Sequence, residues 1–200
     1  MKNFLPLIVA MAFIALLIGY SAMPSTTTTE FYLLGISDTG EGVLVPFKLE
    51  FAPGTGKVLV DASDASYRKD TAESLRQARD AAEKALGLPL KNADLLLELD
   101  VEGADVGGDS GGAAFAVAII ASYHGVQPDE DGAISASLED GGLAPVGGIT
   151  EKIVAAADAG KKFFVVAKAQ EINGENSLKQ RIQIIRVDSL AEAARLFLGG

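Results

Sequence analysis

An α+β fold is the class this sequence predicts, and three features carry the prediction. Beyond residue 30 the chain reads first as strands, then as strands and helices in irregular succession, an order that suits α+β better than a regular βαβ alternation. Apolar residues make up 48% and charged residues 22% of the 200 positions, the balance of a globular chain able to enclose one well-formed core. No internal repeat and no low-complexity stretch is present beyond a run of threonines at 26–29.

Taken in order, Phe4 to Met23 is an almost uninterrupted apolar run preceded only by Met1-Lys2-Asn3, and about 20 such residues span a bilayer as a helix. The segment 1–23 is therefore read as a transmembrane anchor in preference to its rival, a cleaved signal peptide. Lys2 as sole flanking charge favours the N-terminus inside, leaving the domain membrane-anchored outside the cytoplasm, or secreted if the segment is cleaved. Residues 24–30 read as a polar linker and 31–200 as the folded domain. Phe31 to Ile36 and Gly42 to Phe51 are strands joined by a turn-rich segment, and Lys57 to Ala62 a third after Pro53-Gly54-Thr55-Gly56. Asp70, with Glu73 three residues on, predicts a helix that ends at Gly87. Asp94 to Val101 is a buried strand, Ser110 to Tyr123 an apolar helix, and Ala133 to Leu138 a strand. Thr150 to Ala159 is a helix closed by Gly160. Strands over 163–167 and 182–187 and a helix over 189–198 complete the chain.

Composition narrows function. A net charge of −10 leaves no basic surface to neutralise phosphates, so no nucleic-acid partner is expected. Cysteine is absent and histidine occurs once, as His124, which removes thiol nucleophiles and leaves a zinc site dependent on carboxylates. Neither a metal nor any other cofactor is expected.

The stretch Val106-Gly107-Gly108-Asp109-Ser110-Gly111-Gly112 presents a serine at a glycine-rich helix start, where free N–H groups and the positive dipole end favour a developing anion. Its letters 108–112 match the serine motif of chymotrypsin-like proteases, but no histidine precedes Ser110, so the base that those enzymes place upstream is missing. A serine nucleophile needs some group to take its proton. Lys152, flanked by Ile149, Ile153 and Val154 on a helix entered through Pro145-Val146-Gly147-Gly148, meets the requirement if its apolar setting keeps it neutral. Taken alone, Ser110 could equally be a helix cap and Lys152 a solvated surface lysine; Glu151 is expected to face solvent and His124 to serve a helix C-terminus.

Loop and lysine together resemble the proteolytic domain of Lon proteases. The archaeal branch of that family has a Gly-Asp-Ser-small-small loop before an apolar helix, like Gly108 to Ala113, and a Leu-Pro-Val-Gly-Gly-hydrophobic-x-x-Lys segment matched by Ala144 to Lys152. The Gly54-Thr55-Gly56-Lys57 turn and the Ala155 to Lys162 segment also match, and the resemblance extends over about residues 31–198. It implies a Lon-type fold of small mixed sheets and packed helices, with Ser110 as nucleophile and Lys152 as base. Gly108 and Asp109 would support the oxyanion from the loop, and Ser135, ahead of Ser137, would stand at the hydroxyl position beside the lysine. Two departures are visible: Gly111-Gly112 where alanine is commoner, and a slightly shortened loop after strand 133–138. No Gly-x-x-x-x-Gly-Lys-Ser/Thr nucleotide loop occurs in the 200 residues. The expected function is therefore ATP-independent serine endopeptidase action on unfolded or flexible polypeptides. A homo-hexamer is implied by the resemblance, and a separate ATPase unfoldase is a further expected partner for folded substrates. The alternative from another class is a non-catalytic membrane-anchored binding or assembly module on the same fold.

Overall fold

The structure, a computed structural model, describes residues 25–199 except 63–64, 100–103, 106–108 and 140–141. The predicted anchor at 1–23 thus lies outside the described residues. Among the described residues no helix is long and apolar enough to cross a membrane.

The elements are β1 (Thr27–Ser37), β2 (Gly42–Pro53), β3 (Val58–Ala62), α1 (Ala65–Leu86), β4 (Ala93–Leu99), β5 (Ala104–Asp105), a 3-10 turn (Asp109–Gly111), α2 (Gly112–His124), β6 (Gly132–Ile134), β7 (Ser137–Glu139), β8 (Gly142–Ala144), α3 (Ile149–Asp158), β9 (Phe163–Ala167), α4 (Glu175–Leu178), β10 (Gln183–Val187) and α5 (Leu190–Leu198). They form a five-stranded sheet in the order β3-β4-β2-β1-β5, a three-stranded sheet β10-β9-β6 and the hairpin β7-β8. β3 runs parallel to β4, while β2 is antiparallel to both β1 and β4. The smaller sheet is parallel throughout. Small mixed sheets with packed helices are what α+β predicts.

β1 shows how the sequence divides the interior. Its side chains alternate between faces, so Phe31 and Leu33 join the larger core with α1, α2 and α5, while Leu34 joins a second cluster with Ile149, Ile153, Phe164 and Val166. The strand is thus buried on both sides, with α2 packed over one face and α3 over the other. α2 is apolar all round and buried from Gly112 to Ser122, as expected of a helix enclosed by other elements. Glycine permits close approach at one key point. A Cβ on Gly42 would fall 2.2 Å from the Glu151 carbonyl oxygen, so only hydrogen there lets α3 settle on the β1–β2 hairpin.

Several boundaries differ from expectation for identifiable reasons. The threonines read as linker begin β1, four residues early, because Thr27 to Glu30 pair with Lys48 to Phe51. Thr29 is buried, its hydroxyl 2.6 Å from that of Ser122. Asp70 lies within α1, which starts at Ala65; the cap-like spacing belongs to the helix interior. The expected strand 133–138 is broken in two, since Ala133 pairs with Phe164 of β9 while Ser137 pairs with Ala144 of β8. Short α4 was not foreseen, and its four residues carry too little periodicity to reveal it.

Candidate active site

Ser110 occupies the middle of the 3-10 turn that opens α2 and is half-buried. No side chain caps α2: its N-cap is Gly111. Two supports hold the turn. The Ala113 N–H donates to the Ala136 carbonyl at 3.2 Å, and Gly112 lies so close to Leu138 that an added Cβ would stand 3.2 Å from that side chain. Both partners flank or belong to β7. On the other side, a Cβ on Gly111 would come 2.9 Å from Leu33 of β1.

Lys152 lies in the first turn of α3, where its N–H donates to the Gly148 carbonyl at 3.1 Å. Gly148 precedes the helix with φ of 63°, a left-handed conformation that favours glycine. A Cβ there would also meet Ile36 of β1 at 2.7 Å. The chain reaches this turn directly from β8, whose partner is β7. The serine turn and the lysine helix therefore both pack on β1, and both adjoin the β7–β8 hairpin, the turn through Ala136 and Leu138 and the helix through the segment that leaves β8. β1 also pairs at Ile36 and Ser37 with β5, the strand that leads toward the serine.

The electrostatics of Lys152 are those of an isolated buried amine. Only 4% of the residue is exposed, and it forms no salt bridge among the described residues. Burial alone pushes its pKa below the ordinary lysine value. Ser135 is 1% exposed, and its hydroxyl is buried with no hydrogen-bond partner among the described residues; its main-chain N–H donates to the Val165 carbonyl at 3.3 Å. Ser137, the other candidate, donates its hydroxyl to the Ala144 carbonyl at 3.4 Å. Of the loop residues, Gly108 and the side chain of Asp109 lie outside the described residues, while the Asp109 backbone begins the 3-10 turn. Glu151 is exposed, as is His124 in the last turn of α2. Among the described residues no group of three His, Cys, Asp or Glu side chains is placed to hold a metal ion.

One residue at the site gave no sequence signal. Gln170, in the segment after β9, is 6% exposed, and its carboxamide bonds the main chain of Val146 in the turn before α3. Val146 is 24 positions away, a relation that no motif or periodicity reveals.

A serine at an uncapped helix start and a buried lysine with no salt bridge among the described residues are the two groups that a hydrolase using serine with an amine base requires. Comparison with known proteins gives the family. Residues 55–199 match the family described as the Lon protease (S16) C-terminal proteolytic domain. The chain belongs to this family. It is 30% identical over 168 residues to an archaeal Lon protease of Methanocaldococcus jannaschii, covering 81% of this chain and 25% of that protein. Similar archaeal Lon proteases occur in Archaeoglobus fulgidus, 27% identical over 164 residues (79% of this chain, 26% of that protein), and Methanothermobacter thermautotrophicus, 25% identical over 166 residues (80% and 25%). The chain thus spans about a quarter of the length of these relatives.

Proposed function

We propose that the protein is an endopeptidase in which Ser110 and Lys152 cut unfolded or flexible polypeptides without ATP. The observation that carries this reading is Lys152: a lysine 4% exposed and without a salt bridge among the described residues, its pKa lowered by burial alone, on a helix that packs on β1, the strand that also contacts the serine turn. Lysine accepts a proton only when neutral, and removing water and counter-charge is how that state is favoured near neutral pH.

The Ser110 hydroxyl attacks the scissile carbonyl carbon and its proton passes to the Lys152 amine. N–H groups of the loop before α2, with Gly108 and Asp109 as the expected contributors, would hold the oxyanion. The C–N bond then breaks, the Lys152 ammonium returns the proton to the leaving amine, and an acyl ester remains on Ser110. Water attacks that ester with Lys152 again as base, releasing the second product. The unpartnered Ser135 hydroxyl is the group we assign to orient the lysine amine by hydrogen bonding. No step consumes a nucleotide, which supports ATP-independent cutting of segments already unfolded; a folded substrate would call for an unfoldase partner.

The same reading includes a tether and an assembly. The apolar run Phe4 to Met23 would hold the domain at a membrane, outside the cytoplasm. Thr27, at the start of β1, donates to Ser122 near the C-terminal end of α2 at 2.9 Å. Ser110 precedes the opposite end of that helix, about 20 Å away at 1.5 Å per residue, which supports a site directed away from the bilayer. A homo-hexamer is proposed from the family resemblance, and sedimentation of the purified protein tests it.

The functional test is hydrolysis of an unfolded, fluorescence-quenched protein by the purified chain without ATP, beside Ser110→Ala and Lys152→Ala. Cutting by the wild type alone is the expected result. Equal background from all three overturns the peptidase and favours a binding module on this fold.

A further inference from the structure

The turn that launches the lysine helix is held from outside by one side chain. Between Ala144, the last residue of β8, and Ile149, the first of α3, the chain passes through Pro145, Val146, Gly147 and Gly148. Among the described residues, neither main-chain group of Val146 has a main-chain partner. Both go to Gln170: its Oε1 accepts from the Val146 N–H at 2.8 Å, and its Nε2 donates to the Val146 carbonyl at 3.2 Å and to the Glu171 carbonyl at 3.0 Å. The carboxamide therefore serves Val146 as a neighbouring strand would, filling one donor and one acceptor at once.

Gln170 is itself well anchored. Its N–H donates to the Ala167 carbonyl at 3.0 Å, and Lys168 beside it donates to Val187 of β10 at 2.9 Å. A continuous route runs from the parallel sheet through Gln170 to Val146 and Gly148, and on to Lys152 one turn later. Buried amides are usually satisfied by such bonds. Here the bonds fall on the only irregular segment between the hairpin that supports the serine turn and the helix that carries the lysine.

We propose that Gln170 is a positioning residue for catalysis, fixing the Val146 turn so that Lys152 stays in register with Ser110 and shielded from water. The proposal rests on the Ser110–Lys152 reading, and its test separates the two. Gln170→Met keeps the side chain's approximate volume while removing all three hydrogen bonds; Gln170→Glu keeps only the acceptor for the Val146 N–H. Both are compared with wild type and Ser110→Ala by thermal melting, NMR amide exchange at Val146, and kcat, KM and pH profile on an unfolded quenched protein.

In Gln170→Met the Val146 amide exchanges faster, kcat falls roughly 10- to 100-fold with KM nearly unchanged, and the acid limb moves to higher pH as water reaches the lysine. Gln170→Glu falls between this variant and the wild type in exchange rate and kcat, and it carries the test if the methionine variant does not fold. Unchanged Val146 exchange, or wild-type kcat and acid limb despite faster exchange, overturns the positioning role alone. A wild type no faster than Ser110→Ala overturns the site reading, and the positioning role with it.

Discussion

Helix starts at the candidate site are built differently from the start of α5. Ser189 caps α5 in the ordinary way: its hydroxyl accepts from the Glu192 N–H at 3.2 Å, and the Glu192 carboxylate accepts from the Asp188 N–H at 3.1 Å. That reciprocal pair seals two donors that would otherwise be unpaired. α2 and α3 begin at Gly111 and Gly148 with no side-chain cap at all. The difference separates a helix end made for stability from two made to leave groups free. On the proposed mechanism the uncapped start near Ser110 would offer N–H groups to an oxyanion, and Lys152, one turn after Gly148, has no salt bridge among the described residues.

The comparison is broken most forcefully by removing the groups it leaves free. Ser110→Ala and Lys152→Ala should each lower kcat about a thousandfold or more, since members of such a unit fail together; single-turnover hydrolysis of an unfolded protein measures it. Next in size is Gly42→Ala, whose Cβ would fall 2.2 Å from the Glu151 carbonyl. Shifting α3 should cost about 1–3 kcal/mol and also depress kcat, read by urea denaturation and the same assay.

The buried lysine predicts a pH signature. Because burial lowers its folded pKa below the unfolded one, the unfolded chain binds more protons between those two values, and stability rises with pH across that window. Below it the folded lysine bears its charge at a cost that Lys152→Met removes. The methionine variant should therefore melt a few degrees above wild type at neutral pH, the gap closing toward about pH 10.4. In the wild type, kcat should rise with pH through the folded pKa. The smallest effect on activity belongs to Ser189→Ala: about 1 kcal/mol of stability lost with kcat unchanged, the mark of a cap that serves only the fold.

These contrasts also explain what could be read in advance. Helices α2, α3 and α5 were legible because continuous apolarity, a flanking glycine or a capping serine is written locally. Ser110 and Lys152 stand out as candidates because each lies in a short motif with a chemical requirement. Thr27 to Glu30 misled because polar threonines suit a linker and an exposed strand equally, and only pairing with β2 decides. The split of 133–138 depends on two different partner strands, and Gln170 on a main-chain contact across 24 positions; neither leaves a local trace.

On the proposed mechanism Ser110 forms an acyl intermediate because Lys152 takes its proton. Reaction of the purified protein with an activated peptide ester, followed by peptide-mapping mass spectrometry, tests it directly. An acyl group is expected on the peptide containing Ser110, absent in Ser110→Ala and negligible in Lys152→Met. An acyl group carried by Lys152 or Ser135 instead, or equal acylation of Ser110 without the lysine, would contradict it.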